Sequence, residues 1–186
     1  MRRGFKAHAE RLSLDTRNRL GISNDNAIDP KTLVQSKGCL VWTPEDVPDF
    51  DLSHLTQLTV SDSDSWDAVT IREGDCTVIV VNNTRPLARQ SNTIMHEWAH
   101  LELKHKPSRV DEFENDLLLL SDYPKDLEDE ADWLSGAMLA PRDGLANLRK
   151  RGLNDDQIAE AFGISSQLAT WRLRMTGIDR QLRRRY

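Results

Sequence analysis

Cysteine is scarce in this chain, with only Cys39 and Cys76 among 186 residues. Two thiols outside any Cys-x-x-Cys pair exclude a disulfide framework and read instead as small buried hydrophobes. Long apolar runs are also missing. The longest, residues 78–81 and 117–120, fall far short of the roughly 18 residues a membrane-spanning helix needs. The opening residues are basic but lack the apolar stretch of a secretory leader, so neither a leader nor an anchor is expected there, and a cytoplasmic protein is. Internal repeats and low-complexity tracts are absent. What is present suffices to fold: hydrophobic residues make up 38%, with five Trp and four Phe to anchor a core. The length suits one domain, or one with a small appendage.

The net charge of −5 is unevenly spread. Residues 1–141 hold 15 Lys or Arg against 25 Asp or Glu, whereas residues 142–186 hold 10 against 5. An acidic body and a basic tail argue for two units, 1–141 and 142–186. The acidity of the body argues against nucleic-acid binding by that part.

Residues 5–20 read as a polar helix with a thin apolar stripe of Phe5, Ala9, Leu12 and Leu20. Asp29-Pro30 marks a helix start, Gly38 an end, and residues 39–42 a short strand. Residues 43–64 read mostly as loop, with a strand expected at 55–60. Two β-rich runs at 66–71 and 76–81, separated by Arg72-Glu73-Gly74-Asp75, predict a hairpin. A helix follows from about Leu87 to about His105, and Pro107 ends it. Residues 108–116 are polar with no clear pattern. Pro124 opens a second helix and Pro141 closes it. Residues 145–185 read as helical, broken at Gly152 and Gly163.

The first of the two middle helices carries His96-Glu97-Trp98-Ala99-His100, an H-E-x-x-H motif. Four helical residues turn roughly 400° and rise about 6 Å, so both imidazoles share a face and can bind one ion. Zinc suits two neutral imidazoles and a carboxylate, with water in the open position. Glu97, beside that face, can take a proton from the water and return it to a leaving amine. The second helix offers a third ligand in Glu128, with Asp132 one turn on to hydrogen-bond the far nitrogen of a ligand histidine. Glu130 lies roughly 200° around from Glu128 and is less suited as a ligand. With Asp126 and Asp129 it reads as an acidic first turn favouring the helix dipole. His105 reads as a capping or surface residue. Tyr123 and Arg172 are candidates for stabilising an oxyanion. The strand at 76–81 would offer an edge on which an extended substrate could add.

With these motifs on the page, the chain resembles the ImmA/IrrE-family metallopeptidases. The resemblance rests on His96 to His100, on Glu128-Asp129-Glu130-Ala131-Asp132, and on Met138-Leu139-Ala140-Pro141. Leu134-Ser135 stands where the family usually has Phe-Ala, and Leu139-Ala140-Pro141 where it has Leu-Met-Pro. Both departures fall on the packing face. The resemblance implies an α+β fold with a zincin-like peptidase core: a small, mostly antiparallel sheet packed on helices, plus a C-terminal helical segment. It implies one zinc ion per chain held by His96, His100 and Glu128, with Glu97 as catalytic base. It also implies a protein substrate, a helix-turn-helix repressor or antitoxin, whose cleavage relieves repression under stress or on a mobile element.

Residues 155–174 have helix-turn-helix patterning, with Ala159 for close approach, Gly163 for the turn, Ser165 as a cap, and Ile164 and Leu168 to pack. Arg172, Arg174, Arg180 and Arg183-Arg184-Arg185 supply charge that suits phosphate. The favoured reading is a helical module belonging to the peptidase, with DNA binding as the competitor. The function classes in play are therefore a zinc endopeptidase, a DNA-binding regulator with a structural or sensory metal site, and an interaction module that sequesters a repressor. No membrane partner is expected.

Overall fold

The computed structural model describes residues 1–49, 51–112 and 117–183. Among them the fold is mixed α+β: a five-stranded sheet and nine α-helices. No helix among the described residues is long and apolar enough to cross a membrane. Contacts divide the chain into Asp29–Ala131 and a second unit made of Met1–Ile28 with Asp132–Tyr186. In this division the N-terminal helix groups with the C-terminal helices.

The first unit, 29–131, holds the sheet. Helix α2 (Pro30–Ser36) begins where Asp29 accepts hydrogen bonds from the amides of Lys31 and Thr32, with Pro30 in the first turn. Strand β1 (Cys39–Trp42) follows. Residues expected as loop and strand are helical instead: α3 (Leu52–Thr56) runs on through a π-helical turn (Gln57–Ser61). The physical reason is local. Asp51 caps the helix through the Ser53 amide at 2.7 Å. The half-buried residues Leu55, Leu58 and Thr59 recur at i, i+3 and i+4, a helical spacing. Strands β2 (Ala68–Glu73) and β3 (Cys76–Val81) form the expected hairpin, with Gly74 at φ +54° in the first central position, where a type II′ turn favours glycine. Strands β4 (Arg109–Glu112) and β5 (Leu117–Ser121) make a second antiparallel pair. The part of the unpatterned stretch at 113–116 lies outside the described residues.

The strand order is β1-β3-β2-β5-β4, with β1 parallel to β3 and every other pair antiparallel. This overturns the expected role of residues 76–81 as an exposed edge. Val78, Ile79, Val80 and Val81 are all buried, and the edges are β1 and β4. A continuous apolar run is what a strand covered on both faces requires. Of the two cysteines, Cys39 is buried as expected, while Cys76, at the hairpin turn, is exposed; both are free thiols.

Helix α4 (Leu87–Glu102) packs on β2, β3 and α2 through Ile94, Met95, Trp98 and Ala99. Its start is fixed by Asn82, buried after β3, whose amide donates to the carbonyls of Ser63 and Trp66. Asp67 also pins it by accepting from Arg85 at 3.0 Å and from Arg89 at 2.7 and 2.9 Å. Its end is a Schellman motif: the Lys104 amide donates to the Leu101 carbonyl and the His105 amide to that of His100, both at 3.0 Å. The left-handed residue of that motif is Lys104, at φ +54°, where glycine is the usual occupant.

In the second unit, helix α1 (Phe5–Leu20) buries Phe5 and Ala9 as expected. Leu20 is exposed, and the rest of the buried face is polar: Ser13, Thr16 and Arg17. These polar groups have a task. Helix α5 (Lys125–Leu139) ends with carbonyls that no further turn can satisfy. Ser13 donates to Ala137 at 2.7 Å, and Arg17 donates to Met138 and Leu139 at 2.9 and 3.2 Å. Arg172 donates to Ala140 at 3.1 Å. Helices α6 (Arg142–Lys150), α7 (Asp155–Phe162), α8 (Ser166–Thr176) and α9 (Ile178–Arg183) complete the unit. Gly163, left-handed at φ +66°, turns the chain between α7 and α8, and Ser165 caps α8 as expected.

Two substitutions test this account. Lys104→Gly relieves the left-handed strain and is expected to stabilise the protein by ~1 kcal/mol in chemical denaturation. Gly144→Ala would place a methyl group 1.9 Å from the carbonyl oxygen of Asn24, and is expected to destabilise by about 3 kcal/mol.

Candidate metal centre

Three side chains of the 29–131 unit converge at the C-terminal half of α4. His96 and His100, one turn apart, bring their Nε2 atoms to 3.2 Å. Glu128, in the first turn of α5, places Oε2 at 3.1 Å from His96 Nε2 and Oε1 at 3.7 Å from His100 Nε2. A tetrahedral ion with bonds of 2.0–2.1 Å holds its ligands about 3.3 Å apart. The donor set fits that spacing and chemistry: two imidazoles and a carboxylate crowd electron-rich atoms together, which calls for a cation among them. Exposure grades across the group. The His100 side chain is 1% exposed, His96 21% and Glu128 39%, so the side marked by Glu128 faces solvent.

Glu97 follows His96 on α4 and is half-buried. Its Oε2 accepts a 2.6 Å hydrogen bond from the Thr70 hydroxyl on β2, and Thr70 is itself 1% exposed. Burial pushes the Glu97 carboxyl above the usual carboxylate range. The hydrogen bond from Thr70 and the nearby His96 pull it back, while Glu128 adds to the rise. Thr70 could not have been found from sequence, since nothing in its strand distinguishes it from Val69 or Ile71. Only the β2 register against α4 aims its hydroxyl at Glu97.

Tyr123 lies beside His100. Its ring stacks on His100 with centroids 3.7 Å apart and planes at 27°. Burial, with Glu97 and Glu128 nearby, pushes its phenol up to about 12, so it keeps its proton at neutral pH. Arg172 does not fit its expected role in stabilising an oxyanion. It is 0% exposed, and its guanidinium donates to Glu10 at 2.6 Å and to the Ala140 carbonyl. Such a group has no face to offer a substrate. Asp132 is exposed, one turn beyond Glu128 along α5.

His105 and Glu130 depart from expectation. His105 is no surface cap: its side chain is 3% exposed, with Nδ1 3.1 Å from His100 Nδ1. Glu130 is 0% exposed rather than part of a solvated acidic turn, and its Oε2 lies 3.5 Å from His105 Nε2. The available signal was the five-residue spacing from His100 to His105, which a Schellman end folds back onto the helix.

A helix bearing H-E-x-x-H, packed on a mostly antiparallel sheet and met by a carboxylate from a second helix, is the arrangement of zincin-like metallopeptidases. A model of the family described as the IrrE N-terminal-like domain, a family of metallopeptidases, matches residues 54–174. The chain belongs to that family, and the match runs from α3 into α8. No curated protein and no solved structure matches the chain.

The phenol of Tyr123 gives a direct check on this geometry. Alkaline titration followed at 295 nm is expected to show one of the two tyrosines ionising near pH 12 rather than 10. That phase should vanish in Tyr123→Phe. Because the folded value is raised, the unfolded chain releases this proton first, so its contribution to stability falls as pH climbs from about 10 to 12.

Proposed function

We propose that this protein is a zinc-dependent endopeptidase that cleaves a helix-turn-helix transcriptional repressor or antitoxin, relieving repression in a stress response or on a mobile element. The observation that carries the reading is the convergence of His96, His100 and Glu128 beside Glu97. One zinc ion per chain would be held by these three ligands. Zinc bound there supplies a Lewis acid that lowers the pKa of water to about 7 and polarises the scissile carbonyl.

The chain's own groups do the rest. Thr70 occupies Oε2 of Glu97, which leaves Oε1 to take a proton from the attacking water. The raised affinity of Glu97 for a proton suits it to accept one and then return it to the departing amide nitrogen as the C–N bond breaks. Tyr123, protonated at neutral pH, can donate to the oxygen that gains charge. Asp132 keeps its expected part of orienting a ligand histidine, on the strength of its spacing from Glu128. The substrate class rests on the family resemblance.

The DNA-binding alternative draws on α7, Gly163 and α8. Acidic groups weigh against it. The side chains of Ser166 and Thr170, at the start of α8, donate to Asp156 and Asp155 at 2.6 and 2.7 Å. These two carboxylates stand in the first turn of α7, where a DNA phosphate would be repelled. Of the terminal arginine cluster, Arg184 and Arg185 lie outside the described residues.

The deciding experiment joins metal content to cleavage. The purified chain is expected to hold one zinc and to cut the helix-turn-helix repressor encoded nearest to it only when metal is present. Glu97→Gln should keep the zinc and lose at least about 100-fold in rate. A Glu97→Gln variant that cuts at the native rate would sink the mechanism. Tight, salt-dependent operator binding without cleavage would put the DNA-binding reading first.

A further inference from the structure

We infer that His105 and Glu130 form a buried support that sets the tautomer and orientation of His100 as a metal ligand. The inference rests on the metal-centre reading above and concerns two residues outside the ligand set. Its origin is the end of α4. In a Schellman motif the residue two places past the helix cap folds back against the one three places before it. Here those residues are His105 and His100, so a contact that is usually apolar is made between two imidazoles. Their rings meet edge to face, with centroids 5.1 Å apart and planes at 74°.

A hydrogen bond between two Nδ1 atoms, here 3.1 Å apart, needs one donor and one acceptor. Glu130 stands on the far side of His105. Its carboxylate faces His105 Nε2 at 3.5 Å, with the two side chains 1% and 3% exposed. At that distance the attraction is electrostatic rather than a short hydrogen bond, and burial strengthens it. Ligation of a metal ion through His100 Nε2 requires the His100 proton on Nδ1, so His100 donates and His105 Nδ1 accepts. The proton of neutral His105 then stands on Nε2, toward the Glu130 carboxyl group. The lone pair of His100 Nε2 is left pointing at His96 and Glu128, where a metal ion needs it. Tyr123 stacks on the same His100 ring and limits its tilt. His105 and Glu130 are thus positioning residues that act through His100.

The test is the affinity of the full chain for Zn²⁺, measured by competition with a chromophoric chelator, together with the visible spectrum of the Co²⁺-loaded protein. His105→Leu fills the space but removes the acceptor. It is expected to weaken Zn²⁺ binding by about 10- to 100-fold and to shift the Co²⁺ bands. His105→Asn returns an acceptor oxygen close to the Nδ1 position and should recover affinity to within about threefold of native. Glu130→Gln keeps the shape, removes the charge, and is expected to lose about tenfold. Native affinity in both His105→Leu and Glu130→Gln would overturn the inference while leaving the metal centre intact. Should His105→Leu fail to fold by circular dichroism, Glu130→Gln decides alone. A native chain that binds no Zn²⁺ would overturn the metal-centre reading, and this inference with it.

Discussion

A charge taken out of water must be met by partners that replace the water, and this cost shapes both units of the protein. In the 29–131 unit two carboxyl groups, Glu97 and Glu130, are buried or half-buried. Glu97 is met by the Thr70 hydroxyl and Glu130 by His105. In the other unit two guanidiniums, Arg17 and Arg172, are 0% exposed. Among the described residues, the acceptors of Arg17 include no carboxylate. It is held by the carbonyls of Ser23, Asn26, Met138 and Leu139, and burial lowers its pKa to about 10. Its positive charge sits at the negative end of α5, where a cation is favoured. Arg172 combines the Ala140 carbonyl with Glu10 and lies over the Trp133 ring, with its guanidinium carbon 5.4 Å from the ring centroid.

The site inherits its geometry from this matching. A helix alone can pair His96 with His100, but it cannot place a base, a third ligand and a support around them. The base is fixed by a hydroxyl from β2, the third ligand comes from the opening turn of α5, and the support comes from the way α4 stops. The partner of the base lies on β2, while the third ligand and Glu130 share the opening turns of α5. The apolar face of α4, with Met95, Trp98 and Ala99 against the sheet, sets the register in which those contacts are possible.

Much of this was legible in the sequence, for identifiable reasons. His96, Glu97 and His100 declare themselves because helical spacing is a local property. Glu128 follows because Pro124 and the acidic turn mark a helix start. The β2–β3 hairpin is readable from Gly74 between two β-branched runs. The failures share the opposite character. Residues 55–60 look like a strand by composition, and only the cap at Asp51 and the partial burial of Leu55, Leu58 and Thr59 make them helical. The apolar run at 78–81 fits an edge strand as well as a central one until its neighbours are known. Thr70, His105 and Glu130 are defined by what stands opposite them, which no single segment encodes. Arg172 read as an oxyanion candidate because its partners, Glu10 and Ala140, lie 162 and 32 residues away.

The carbonyls that end α5 also carry a consequence for the order of events on the ribosome. Arg17 and the Met138 carbonyl that receives it are separated by 121 residues. At a synthesis rate of about 5–20 residues per second, the arginine emerges roughly 6–25 seconds before its acceptor. Through that interval α1 has no carbonyl cage to enter, and its guanidinium stays hydrated. The segment 29–131 is continuous and leaves the ribosome complete while the unit to which α1 belongs is still missing its C-terminal helices. The sheet and the H-E-x-x-H helix can therefore be in place first, and α1, though made before the sheet, is among the last of the described elements to find its partners.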